Sequence, residues 1–279
     1  MLRVAGPRKL GMALSDADGG ISASPETGQL GPTAKHYEIP SQNEASSAPP
    51  LGFLAVEVDI FRPPGDPFNQ RTWPFPLIRE KVTGTGESDL VTNAAYDDAF
   101  IDRFVAAGLK LAERGAVGVI TSCGFLALAQ NKLAARLPIP IATSALVQIP
   151  SLRAIIPADK AIGVFTYDSK RLGDAHLLEL GIDPKHIRVW GTPDDGHLRG
   201  ICARGETYDS ERLEKELIDE AKAFTSRFPE VAAIVLECTN MPPCADKIHQ
   251  AINLPVYDVY TMGTWFYSGL VRQNPQSWK

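Results

Sequence analysis

The apolar positions of this chain fall into short blocks that alternate with amphipathic stretches. LGFLAVEVD (51–59), AVGVITS (116–122), IPIATS (139–144), KAIGVFT (160–166), KHIRVWG (185–191) and VAAIVLE (231–237) are β-branched, apolar runs bounded by turn residues. Strands buried on both faces read this way. LIREKVTG (77–84) and LPVYDVY (254–260) are weaker versions. Between them lie helical patterns over 93–114, 125–137, 144–157, 169–180 and 211–228, and a last one through Trp265. Phe100, Phe104, Gly108 and Leu111 form one stripe; Leu213, Leu217, Ala221, Phe224 and Phe228 form another. Strands alternating with helices predict parallel sheets with helices on both faces.

Two stretches read as versions of one another. VITSCGFLALAQ (119–130) and IVLECTNMPPCA (234–245) each run from an apolar strand to a cysteine, a turn and a helical pattern. Cys123 stands 17 residues before Pro140 and Cys238 stands 17 before Pro255, where a second strand follows. The spacing of 115 residues between the cysteines predicts two similar α/β domains related by a pseudo-two-fold, with the site between them. The expected boundaries are 51–145 plus 259–279 for the first domain and 146–258 for the second. Residues 1–50, rich in Ser, Gly, Ala and Pro and without a sustained period, read as a disordered extension.

The chain of 279 residues has 44% hydrophobic and 22% charged content, as a globular protein does. Its net charge of −5 argues against a nucleic-acid partner, and no apolar run approaches the ~20 residues that span a bilayer. No secretory signal is legible in the first twenty residues, so the default compartment is the cytoplasm and the four cysteines are expected as thiols. No G-x-G-x-x-G follows a strand, no P-loop is present, and Cys238, Cys244 and His249 lack a zinc spacing. No cofactor or metal is therefore expected.

In open parallel sheets, ligands bind beyond the carboxyl ends of the strands, where both cysteines fall. A thiol opening a helix meets unpaired N–H groups and partial positive charge worth about 0.3–2 kcal/mol. That would lower its pKa by about one unit, leaving a thiol/thiolate mixture near neutral pH. A lone cysteine at a strand end is commonly packing. Two at equivalent places offer a base on one face of a small molecule and an acid on the other.

These segments resemble the aspartate/glutamate/hydantoin racemase superfamily from Leu51 onward. LECTNMPP is similar to the second cysteine motif of glutamate racemases in Cys238, Thr239 and the following proline, and SCGFLA stands where those enzymes have Cys-Asn-Thr. GDPFNQRTWPFP, TSCGFLAL and LECTNMPP together resemble a subgroup described only as racemase-like. The resemblance implies proton transfer next to a carboxylate without metal or cofactor, with Cys123 and Cys238 as the acid/bases. It implies substrate contacts from Ser122, Gly124, Phe125, Thr143, Thr166, Thr239 and Asn240, and a possible homodimer. Asp59, ending the first strand, and Arg62, a bidentate partner for a carboxylate, are further candidates. Thr166 also reads as a helix cap, Arg62 as a solvated loop residue, and Asp66 and Asn69 as turn residues.

Four departures stand out. Asn240 replaces a histidine, Gly124 and Phe125 replace Asn and Thr, an Asp-Ser-Gly after the first strand is absent, and Glu237 replaces a small residue. Glu237 would oppose thiolate formation if it points inward. The resulting expectation is a racemase or epimerase of a small amino acid or related carboxylate. The alternatives are a maleate-type cis-trans isomerase, an arylmalonate-type decarboxylase, and a non-catalytic binder of a small carboxylate.

Overall fold

The computed structural model describes residues 48–272 and Asn274. The extension expected over 1–50 lies almost wholly outside them. The first sheet is built from β1 (Leu51–Ala55), β2 (Leu77–Lys81), β3 (Val119–Thr121) and β4 (Ile141–Ala142), with α1 (Glu87–Leu90), α2 (Asp98–Glu113), α3 (Gln130–Ala134) and α4 (Ile149–Ile155) between and after them. The second contains β5 (Ala161–Thr166), β6 (Ile187–Gly191), β7 (Val231–Leu236) and β8 (Val256–Tyr257). Its helices are α5 (Asp174–Glu179), α6 (His197–Arg204), α7 (Ser210–Arg227) and α8 (Ala245–Ile252), and α9 (Val259–Leu270) follows.

Both sheets are wholly parallel and share one order: β2-β1-β3-β4 and β6-β5-β7-β8. The chain leaves the first strand of each sheet toward one edge and returns on its other side with the third strand. That reversal opens a crevice between the carboxyl ends of the first and third strands. Each cysteine stands two residues beyond a third strand, in that crevice. The repeated strand–cysteine pattern in the sequence is this repeated topology.

Burial follows the strand period. Leu51, Phe53 and Ala55 of β1 face one core, and Leu54 and Val56 face the other. Phe100, Ile101, Phe104 and Leu111 of α2 cover the second of these faces. The first is covered by α9 through Val259, Met262 and Tyr267, with Trp73 and Phe75 from the Pro-rich connection. In the second sheet, Leu213, Leu217, Ala221 and Phe224 of α7 are buried, and Trp190 of β6 stacks on Phe224 at 5.6 Å.

Several helices are shorter than their patterns. α2 starts at Asp98 because Asp97 caps it, its carboxylate accepting from the Phe100 N–H at 2.7 Å. The pattern over 169–180 becomes helix only from Asp174, since Asp168 first folds Lys170 and Arg171 into a turn. Residues 124–129 and 145–148 form 3₁₀ turns before α3 and α4. α6 left no period in its sequence. It is held from outside: Glu216 of α7 accepts the N–H groups of His197 and Leu198.

The Pro-rich connection (61–76) is packed, not solvated. The Trp73 indole donates to the Pro67 carbonyl at 2.9 Å and its ring lies against Gly263 of α9. A Cβ at Gly263 would come within 2.6 Å of Trp73 Cη2. Gly263→Ala is therefore expected to cost about 1–3 kcal/mol in denaturant unfolding. An unchanged midpoint would contradict this packing.

Candidate functional site

The two crevices open on one cavity of about 50 Å³, with Val56, Val58 and Arg62 after β1, Ser122 to Phe125 after β3, Tyr167 after β5 and Glu237 to Asn240 after β7 on its walls. Glu87, Leu90 and Val91 close one side and Cys202 of α6 another. The space is too small for a nucleotide.

The two cysteine turns are tied together. The Thr239 hydroxyl donates to the Ser122 carbonyl at 2.7 Å, joining the residue after one cysteine to the residue before the other. Ser122 is fixed in turn, its hydroxyl accepting from the Val56 N–H at 3.0 Å. Asn240 presents its carbonyl to two thiols, accepting from Cys202 at 3.6 Å and Cys238 at 3.7 Å. Its amide donates to Asp66 at 2.9 Å. Asp66 also accepts from Arg62 at 3.1 Å, and the Arg62 guanidinium lies 4.2 Å from the centre of the Phe68 ring. Arg62 and Asp66, 4% and 1% exposed, are thus a buried ion pair, so Arg62 is not solvated, and Asp66 is also the turn residue expected, accepting from the Phe68 N–H at 2.8 Å.

Glu237 points inward. Its carboxylate accepts from the Thr166 hydroxyl at 2.7 Å and from the Tyr167 N–H at 3.4 Å, and the residue is 1% exposed. Its other oxygen packs on Gly124, where any Cβ would collide with both the Glu237 carboxylate and its main-chain carbonyl. No Lys or Arg among the described residues pairs with it. Burial pushes its carboxyl up to about 7, against the Thr166 and Tyr167 hydrogen bonds. Burial also pushes both site thiols well above their ordinary range, with the Glu237 charge the next cause. Main-chain N–H groups pull the other way, from Phe125 and Leu126 at Cys123 and from Asn240 at Cys238, and lose. The thiol/thiolate mixture expected from the helix ends is therefore corrected: burial keeps both cysteines as thiols.

Other expected contacts stand elsewhere. Thr143 is buried behind the cavity, its hydroxyl donating to Gln130 at 2.9 Å. Thr166 reaches the cavity only through Glu237. Asp59 lies on a separate concavity beside Arg79 and Lys81. Tyr167, Cys202 and Glu87 had no sequence signal marking them as site residues. Tyr167 follows Thr166 at the end of β5, and its hydroxyl is buried without a hydrogen-bond partner while its residue lines the cavity. No group of His, Cys, Asp and Glu among the described residues could hold a metal ion, and no helix among them is long and apolar enough to cross a membrane.

The two-sheet fold is that of the aspartate/glutamate racemase superfamily. Unliganded arylmalonate decarboxylase superposes with a TM-score of 0.53 at 17% identity, over 81% of this chain and 94% of that one. An aspartate racemase homologue from Pyrococcus horikoshii OT3 gives 0.51 at 14%, over 80% and 99%. At such identities the likeness shows the fold alone. Sequence relatives are more specific. The dimethylsulfoniopropionate lyase of Durusdinium sp. clade D is 30% identical over 242 residues, 81% of this chain and 76% of that protein. Dimethylsulfoniopropionate lyase 5 of Emiliania huxleyi (strain CCMP1516) is 28% identical over 80% of this chain, which spans 45% of its length. No family model matches the chain. The chain belongs to the dimethylsulfoniopropionate lyase family.

That kinship corrects the functional expectation. The relatives are lyases, so the racemase or epimerase reading, and with it assignment to the isomerases, is overturned. The decarboxylase alternative keeps only its fold.

The raised Glu237 carboxyl has a sign for stability. The folded state holds this proton more tightly than the unfolded state, so its contribution is full below about pH 4.5 and is lost as pH rises to about 7. Glu237→Gln removes the loss. The variant is expected to exceed the parent by about 3 kcal/mol at pH 8 and to differ little near pH 4. Thermal unfolding at both pH values checks this; equal stability at pH 8 would contradict it.

Proposed function

We propose that this protein cleaves dimethylsulfoniopropionate, or a close β-sulfonio carboxylate, by elimination. The observation that carries the reading is two thiols from equivalent turns facing one small cavity walled by carboxylates, in a chain of the lyase family. The substrate is a zwitterion with a carboxylate at one end and a dimethylsulfonium on the β-carbon. A base removes the α-proton, the C–H electrons form the Cα–Cβ double bond, and the C–S electrons leave with sulfur. The products are acrylate, dimethyl sulfide and a proton.

Supporting this reading, such an elimination needs one base and no acid, because the leaving group departs neutral. One thiolate suffices, where inversion of a carbon centre needs two groups. The Tyr167 hydroxyl and the N–H groups opening the turns after Cys123 and Cys238 are the donors for the substrate carboxylate. Arg62 forms a wall whose charge Asp66 balances. The sulfonium of the substrate favours the thiolate form of the base. At an effective dielectric of about 20, a cation roughly 5 Å from sulfur favours the thiolate by about 3 kcal/mol, more than a hundredfold in ionisation.

Headspace detection of dimethyl sulfide with NMR of acrylate tests the proposal. The protein is expected to form the two in equal amounts. Of Cys123→Ala and Cys238→Ala, the variant lacking the base is expected to lose about 10²–10⁴-fold in kcat. No dimethyl sulfide from the parent protein would overturn the reading.

A further inference from the structure

A buried carboxylate normally has a counter-cation or loses its charge. Glu237 has neither a lysine nor an arginine beside it among the described residues, although Arg62 lines the same cavity. Arg62 is committed to Asp66 and to the Val58 carbonyl at 2.7 Å. The other titratable groups around Glu237 are acids. Cys123 faces it from the turn after β3, Tyr96 from the segment before α2, and Asp168 from beyond β5. Asp168 is itself paired with Arg199 at 3.1 Å. Across the cavity stands Glu87, whose nearest cation, Arg171, is 3.8 Å away. The seat for this charge is built into the main chain, since Gly124 leaves room for the Glu237 carboxylate and no larger residue would.

Resting on the elimination reading, we propose that Glu237 is the specificity-determining residue for the positive end of the substrate, so that the bound onium group is its missing counter-ion. The site then prefers β-onium carboxylates, sulfonium or quaternary ammonium, over carboxylates of the same shape whose other end is uncharged. Because burial raises this carboxyl to about 7, cation binding and release of the Glu237 proton are linked, and onium affinity rises with pH through that range.

Two unreactive probes separate charge from shape: 3-(trimethylammonio)propionate and 4,4-dimethylpentanoate, which has the same carboxylate and shape but an uncharged tert-butyl end, titrated calorimetrically at pH 6 and 8. The parent protein is expected to prefer the cation at least tenfold at pH 8 and less at pH 6. Glu237→Gln is expected to bring the ratio near one at both pH values while still folding. Glu87→Gln, at the partly exposed and paired carboxylate, is expected to change it less. Equal affinities in the parent, an unchanged ratio in Glu237→Gln, or a larger effect at Glu87 would each overturn the inference. A parent that prefers the cation but forms no dimethyl sulfide would instead refute the elimination reading and leave the recognition role standing.

Discussion

One buried, uncompensated carboxylate organises this site. Glu237 extends β7 alongside β5 through its N–H, bonded to the Phe165 carbonyl at 2.8 Å, and sends its side chain across to Gly124 in the other half. Both halves of the fold therefore meet at one acid. The Thr239–Ser122 hydrogen bond closes the same junction one residue beyond Cys238. Burial keeps both thiols protonated, and the Glu237 charge adds to it.

Two departures from the racemase pattern, read separately in the sequence, are one change in the structure. Gly124 stands where the racemase motif has Asn, and Glu237 where it has a small residue. The space a side chain would occupy at 124 is the space the Glu237 carboxylate fills. In the proposed elimination, this paired change sets what the cavity accepts at the β-carbon.

The sheets, their repeat and the cysteine positions were legible in the chain because buried parallel strands write themselves as apolar runs and the duplication repeats the spacing. The catalytic class was not legible. It came from the lyase relatives, and the Glu237–Gly124 contact, 113 residues apart in the chain, had no local signal. Thr143, just beyond β4, turns its hydroxyl to Gln130, and Asp59 stands four residues beyond the end of β1 on a separate concavity, since the strand stops at Ala55 and not at Asp59. Tyr167 and Cys202 were missed because an isolated Tyr or Cys carries no periodic signal. Arg62 and Asp66 read as loop residues because their burial comes from Phe68 and Asn240, partners that no local pattern announces.

The central claim is that burial keeps the thiols protonated and that a bound cation favours their ionisation. Ultraviolet thiolate absorbance tests it directly, titrated from pH 8 to pH 11 with and without saturating 3-(trimethylammonio)propionate, with the Cys123→Ala/Cys238→Ala double variant as the blank. The account predicts little thiolate at pH 8 in either case and an onset of ionisation about two pH units lower with the ligand, a shift absent from the blank. Thiolate already present at pH 8 without ligand, or an onset unmoved at saturation, would contradict it.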